Sequence, residues 1–209
     1  MNGFFVEAGA NNGEEDSNSL YFEVVHNWTG LLVEPIPQNL MDKHRKAKVA
    51  PVCLSPTTRP QMANFNLKSA LVDQDIGLES MAGIVDAESQ DTTKLQCFPL
   101  YSLLMAVGNP TIHYFILDIE GAEMQVLQTI PWTKVDIQVV SVETDLAGRI
   151  RDGSREAIIA FMKSVGYRHV MHRTSYSHIT NMPKDDMFVR EDVYVDNNVG
   201  QKDLHRKVI

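Results

Sequence analysis

Phe4-Phe5-Val6-Glu7-Ala8-Gly9-Ala10-Asn11-Asn12-Gly13 decides the fold. An apolar run of strand length ends in an acid and breaks into a Gly-rich turn. A polar stretch follows in which Asp16 or Ser17 suits a helix cap. Leu20, Val24, Val25 and Trp28 then fall at helical spacing, which predicts a helix packed by that face. Gly30-Leu31-Leu32-Val33 is a second buried strand, closed by Glu34-Pro35 and a break at Pro37. Strand, Gly-rich turn, helix, strand is the start of a doubly wound α/β sheet.

Working outward, the spacing predicts a basic helix from Asn39 to Lys46 and a third strand from Val49 to Leu54. Met62 to Leu67 alternates like an edge strand, and Leu71 to Leu95 has no clear period. Pro99 to Val107 reads as a helix, and His113 to Glu120 as the most strand-like run of the chain. Gly121 opens a helix carrying Ala122, Val126, Leu127 and Ile130 on one face. Ile137 to Val142 is a strand ending in Glu143; Arg155 to Val165 is a helix capped by Ser154 and stopped by Gly166. Tyr167 to Met171 and Met187 to Val189 complete the sheet, the last entering antiparallel. Near-continuous apolar strands alternating with helices mean a mostly parallel sheet with helices on both faces.

The chain has 209 residues, long enough for one well-buried domain spanning 1–209. Its abrupt start on a core strand predicts either a minimal domain or an upstream segment carrying an anchor or targeting signal. A formal charge of −8 argues against a nucleic-acid surface built on bulk positive charge. No run has the length of a membrane span. The chain has two cysteines, Cys53 and Cys97, whose spacing fits no zinc or redox motif; they read as buried thiols. The compartment stays open: cytoplasmic from this chain alone, the endomembrane system given an upstream anchor.

In such sheets ligands sit beyond the carboxyl ends of the strands, where the strand order reverses. Gly9 and Gly13 let backbone approach a ligand closely. Glu34 follows Gly13 by 21 residues, the place of an acid that accepts both ribose hydroxyls. The turn departs from the dinucleotide fingerprint and offers no base for a pyrophosphate. An adenosine ligand without phosphates, S-adenosylmethionine, fits better.

Three stretches, Val6-Glu7-Ala8-Gly9-Ala10-Asn11-Asn12-Gly13, Val33-Glu34-Pro35 and Leu117-Asp118-Ile119-Glu120-Gly121-Ala122-Glu123, resemble the signatures of FkbM-type methyltransferase domains. Finer detail resembles the Star-like branch of animals: Trp28 to Pro35, Cys97 to Leu104, Asn109 to Phe115, Ile130-Pro131-Trp132 and Asp186 to Arg190. The resemblance implies a class I methyltransferase sheet of about seven strands and S-adenosylmethionine as cofactor. It implies Glu7, Gly9, Asn11 and Gly13 at the methionine end, with Ala8 and Ala10 beside them, and Glu34 with Pro35 at the ribose. It also implies two functions: methyl transfer, to oxygen before nitrogen, on a small-molecule, glycan or protein acceptor, or a non-catalytic Star-like role in endoplasmic reticulum to Golgi trafficking.

Asp118 and Glu120, two apart on a strand, are expected to share a face as catalytic acids, Asp118 as the base. Otherwise Glu120 only caps the next helix. Glu143 and Asp145 end the neighbouring strand on the same rim. His169, His172 and His178 lack the partners of a metal set, so no metal is expected. His113 reads as a hydrogen-bonded structural histidine. Asn27-Trp28-Thr29 matches the glycosylation pattern, but Trp28 reads as core and Thr29 as strand. The runs His44 to Lys48 and Lys202 to Lys207 read as a helix end and a solvated tail.

Overall fold

A computed structural model describes residues 2–15, 17–36, 44–66, 84–85, 92–144, 153–174 and 183–195. Its main sheet is built from β1 (Phe4–Ala8), β2 (Thr29–Val33), β3 (Lys48–Ala50), β8 (Tyr114–Leu117), β9 (Val139–Glu143), β10 (Tyr167–Thr174) and β11 (Pro183–Arg190). The order is β10-β11-β9-β8-β1-β2-β3. All neighbours are parallel except β11, which runs antiparallel to both β9 and β10. The chain winds outward from β1 through β2 to β3, then returns to β8 on the other side, so the order reverses at β1. The doubly wound sheet with an antiparallel final strand is as expected.

Alternation along each strand sends one set of side chains to each face. Val6, Leu31, Phe115, Leu117, Val140, Val142 and Phe188 meet the apolar faces of three helices. These are α2 (Leu100–Ala106), α3 (Glu123–Thr129) and α4 (Arg155–Ser164). Ala122, Val126, Leu127 and Ile130 are all buried, as the spacing required. Ser154 caps α4 by accepting from the Ala157 N–H, and Gly166 follows it at φ 92°.

The opposite face of β1 and β2, with Phe5 and Leu32, packs on Trp28, Tyr114 and Ala47. Helix α1 (Leu20–His26) lies here, with Phe22 stacked on Trp28 at 4.7 Å. Its rotation corrects the sequence reading, because Val24 and Val25 are exposed and Glu23 is buried. Glu23 faces inward because its carboxylate pairs with Arg45 and accepts the Lys46 and Ala47 N–H groups.

The stretch read as one third strand is two. Pro51 separates β3 from β4 (Cys53–Leu54), which joins a second sheet with β5 (Gln61–Asn66), β6 (Ile84–Val85) and β7 (Thr92–Phe98). β5 is inside that sheet rather than at an edge, paired with β6 and β7. Cys53 and Cys97 are register partners joined by a disulfide, which corrects the reading as free thiols. Parallel pairing places their Cα atoms 4.4 Å apart, within bridging range, and sequence spacing cannot show that. Lys202 to Lys207, Asp145, His178 and the helix expected from Asn39 lie wholly or mostly outside the described residues.

Candidate functional site

Register aligns the strand ends into one rim. Ala8 lies beside both Val33 and Leu117, and Leu117 beside Val142. The residues that follow, Gly9, Glu34, Asp118 and Glu143, therefore meet at the reversal point of the sheet.

The first turn holds itself in an unusual backbone shape. Gly9, Asn11 and Gly13 have φ of 82°, 44° and 77°. The Gly9 and Ala10 N–H groups donate to the Val33 carbonyl, and Gly13 N–H to that of Ala10. A Cβ on Gly9 would stand 1.6 Å from the Asp118 carbonyl oxygen, so only glycine lets the two loops touch. Ala8 and Ala10 are buried, and Asn11 is exposed.

Glu34 ties this turn to the second strand. Its Oε2 accepts the Asn11 N–H and its Oε1 the Ile36 N–H, both at 2.9 Å. Burial outweighs these donors and pushes its pKa up to about 7. Each oxygen keeps a lone pair beyond its backbone donor, the arrangement a vicinal diol needs. Pro35, half-buried, follows it at the rim.

Glu7 faces into the fold. Its carboxylate accepts the Ser17 and Ser19 hydroxyls at 2.8 and 2.5 Å and the Asn18 N–H at 2.8 Å. Arg45 lies 3.9 Å away and 3.1 Å from Glu23, with all three side chains at most 4% exposed. Arg45 also donates to the Gly13 carbonyl and to both serines, and its guanidinium lies 5.6 Å from the Phe5 ring centroid. The basic run read as a solvated helix end thus supplies the ion under the turn. Sequence reasoning missed Arg45 because nothing local distinguishes it from His44 and Lys46.

The second loop departs from strand geometry. β8 ends at Leu117, and Glu120 has φ 60°, so Asp118 and Glu120 do not share a face by strand alternation. The N-cap position of α3 is Ala122. Its neighbour Glu123 supplies the carboxylate there: Oε1 accepts the Ile119 and Gly121 N–H groups, as a first-turn acid does. Burial pushes Glu123 up to about 7. Glu143 sits across from Asp118. Burial first, then the charges of Asp118 and Glu120, raise its pKa far above the carboxylate range. Glu143 and Asp118 are hydrogen-bonded through their side chains, which favours one proton held between the two carboxyl groups. Its Oε2 is buried without a hydrogen-bond partner.

Beyond the rim, Asp186 on β11 is fully buried and accepts from Thr144, Arg155 and His169 at 2.6 to 2.7 Å. Burial opposes its ionisation, but Arg155, Thr144 and His169 outweigh that and hold its pKa below the usual range. This ties α4 to the last two strands, with the His169 ring hydrogen-bonded to the same carboxylate. His113 Nδ1 accepts the Phe4 N–H, the structural part expected of it. Among the described residues no group of three or more His, Cys, Asp or Glu is placed to hold a metal ion. Nor is any helix among them long and apolar enough to cross a membrane.

The model of the Methyltransferase FkbM domain family matches residues 7–169. The chain belongs to the FkbM methyltransferase domain family. The match takes in the glycine turn after β1, Glu34 and the rim acids. No curated protein sequence matches the chain. Among solved structures, an FkbM methyltransferase from Methylobacillus flagellatus superposes with TM-score 0.50 at 12% identity over 90% of this chain and 43% of its own. A LepI complex with SAH and a substrate analogue gives 0.44 at 9%, over 91% and 43%. A 1,6-didemethyltoxoflavin-N1-methyltransferase from Burkholderia thailandensis gives 0.43 at 10%, over 91% and 71%. The chain thus spans 43% of the Methylobacillus structure it resembles. At these identities the likeness concerns the fold.

Proposed function

We propose that this domain binds S-adenosylmethionine at the β1–β2 rim and transfers its methyl group to a hydroxyl of an acceptor. The observation that carries the reading is Glu34, a buried carboxylate fixed by the Asn11 and Ile36 N–H groups at the mouth of a glycine turn. The turn fits a donor without phosphates, since Arg45, the cation that contacts it among the described residues, is enclosed by Glu7, Glu23 and two serines. When bound, the cofactor supplies an electrophilic methyl group on a sulfonium centre.

The chain's residues divide the work. Glu34 accepts the ribose hydroxyls, with Pro35 beside it. Gly9, Ala10, Asn11 and Gly13 bring backbone to the methionine end, and Glu7 with Ala8 holds that backbone from below. Asp118 stands on the acceptor side as base. Glu143, hydrogen-bonded to Asp118, orients that carboxyl group toward an incoming hydroxyl. Glu120, on the same loop, adds negative charge to the acceptor side and disfavours anionic acceptors. Alignment of nucleophile and methyl supplies much of the rate in such a displacement. The test is turnover of labelled S-adenosylmethionine against hydroxyl-bearing small molecules, glycans and proteins, with Asp118→Asn as the control. Turnover retained in that variant removes Asp118 from the chemistry.

One observation favours a second reading. The Cys53–Cys97 disulfide suits the lumenal residence that a Star-like trafficking domain with its chemistry lost would have. Folded protein that binds no cofactor selects this reading over the first.

A further inference from the structure

Two features away from the rim converge on the chain's history before it reaches any substrate. The first is the bridge between Cys53 and Cys97, which uses both cysteines of the chain. They are 5% and 0% exposed, on adjacent parallel strands of the second sheet. Such bridges persist where the surroundings are oxidising and are rare in the reducing cytosol. Closing this one takes two electrons and two protons from the thiols, and a disulfide carrier of that compartment accepts them as it becomes a dithiol.

The second is Asn27-Trp28-Thr29. It is the sole Asn-x-Ser/Thr of the sequence in which x is not proline, since Asn109-Pro110-Thr111 is excluded. The sequence alone counted Trp28 and Thr29 against it. The structure separates the three side chains. Trp28 turns inward, stacked on Phe22 at 4.7 Å and facing His113 at 5.5 Å. Asn27 and Thr29 on either side of it are exposed. Asn27 is the C-cap of α1 in the left-handed region, φ 53° and ψ 36°. Its Oδ1 takes the exposed Lys46 ammonium at 3.5 Å, a contact that attachment at Nδ2 leaves in place. The same helix exposes Tyr21, Val24 and Val25 at 59%, 71% and 57%. A hydrophilic glycan one turn beyond Val24 would shield that apolar surface.

We propose that Asn27 is an N-glycan acceptor and that the chain matures in an oxidising, lumenal compartment, where Cys53 and Cys97 become bridged. In the glycosylation step Asn27 Nδ2 bonds to the anomeric carbon of an oligosaccharide carried on a polyprenyl diphosphate. The bond from that carbon to the diphosphate oxygen breaks, the diphosphate leaves with the electron pair, and the amide gives up one proton. The proposal is independent of methyl transfer.

The test uses the full-length protein made from its own reading frame in eukaryotic cells, with acid quenching before alkylation. The expected result is one mobility step removed by peptide N-glycosidase, with heavy oxygen from labelled water incorporated at position 27. Asn27→Asp, which keeps a residue tolerant of the left-handed region, abolishes the step, and Thr29→Ser retains it. The peptide map shows Cys53 linked to Cys97 before reduction. Folded wild-type protein without a glycosidase-sensitive step overturns the proposal, as do freely alkylated thiols at both cysteines.

Discussion

Arg45→Met deletes the cation that the described residues place in the buried network under the glycine turn, while keeping an apolar stem near Phe5. The side chain is 3% exposed and lies 3.1 Å from Glu23 and 3.9 Å from Glu7. Removing one partner of a buried ion pair costs about 3–5 kcal/mol, because the opposite charge is left uncompensated. Glu23 keeps the Lys46 and Ala47 N–H groups, and Glu7 keeps two serines and the Asn18 N–H, which places the loss at the low end, about 3 kcal/mol. For a domain of this size that corresponds to a fall in Tm of roughly 6–12 °C. Urea unfolding at pH 7.5, about neutral, followed by far-ultraviolet dichroism, measures it. Adding Glu23→Gln removes one orphaned carboxylate and recovers about 1 kcal/mol or more, a non-additivity expected of groups in contact. A Tm shift below about 2 °C, or strict additivity of the two substitutions, refutes the claim that this network holds the turn.

Glu34 has its pKa pushed up to about 7 in the free protein, and ribose hydroxyls would donate to its ionised form, so S-adenosylhomocysteine affinity rises as pH passes upward through that value. Calorimetry in buffers of different ionisation enthalpy should show a proton released on binding at pH about 6 and almost none at about 9. Glu123 is raised from 4.5 to about 7 by burial, so its contribution to stability is full below the unfolded value and is lost as pH rises toward the folded one. Glu123→Gln should flatten that decline, which amounts to about 3 kcal/mol for the wild-type group and is followed by Tm between pH about 4 and 8. Glu143→Gln keeps a hydrogen-bonding partner for Asp118 and should shift stability by about 1 kcal/mol or less, whereas Asp118→Asn should lower turnover at least about a hundredfold. Replacing both Cys53 and Cys97 by Ser opens a loop with a separation of 44 residues. The chain-entropy model assigns a bridge of that length about 4 kcal/mol, which denaturant titration can read.

The fold was legible because its signals are local and repeat. Phe4–Ala8 into Gly9, and Gly30–Val33 into Glu34, mark strand ends by composition alone, and Ser154 and Gly166 mark the limits of α4 through capping chemistry. The rim acids were legible for the same reason: a strand end followed by a turn places them. What sequence could not show depends on partners distant in the chain. Arg45 meets Glu7 across 38 residues, and Cys53 meets Cys97 across 44, so neither contact leaves a periodic trace. Helix α1 shows the opposite failure, a clear apolar spacing overruled because burying Glu23 on Arg45 decides which face turns inward. Glu120 shows a third, since strand alternation stops at Leu117 and a positive φ sends the chain elsewhere.

Donor binding at the β1–β2 rim underlies the roles proposed for Glu34, Asp118 and Glu143. Calorimetric titration of the purified protein with S-adenosylmethionine and S-adenosylhomocysteine, beside Glu34→Gln, tests it directly. One site in the micromolar range is expected, with a loss of about 10- to 100-fold in the variant, the value of hydrogen bonds to a charged acceptor. Folded wild-type protein that binds neither ligand, or a variant that binds as tightly as the wild type, contradicts it.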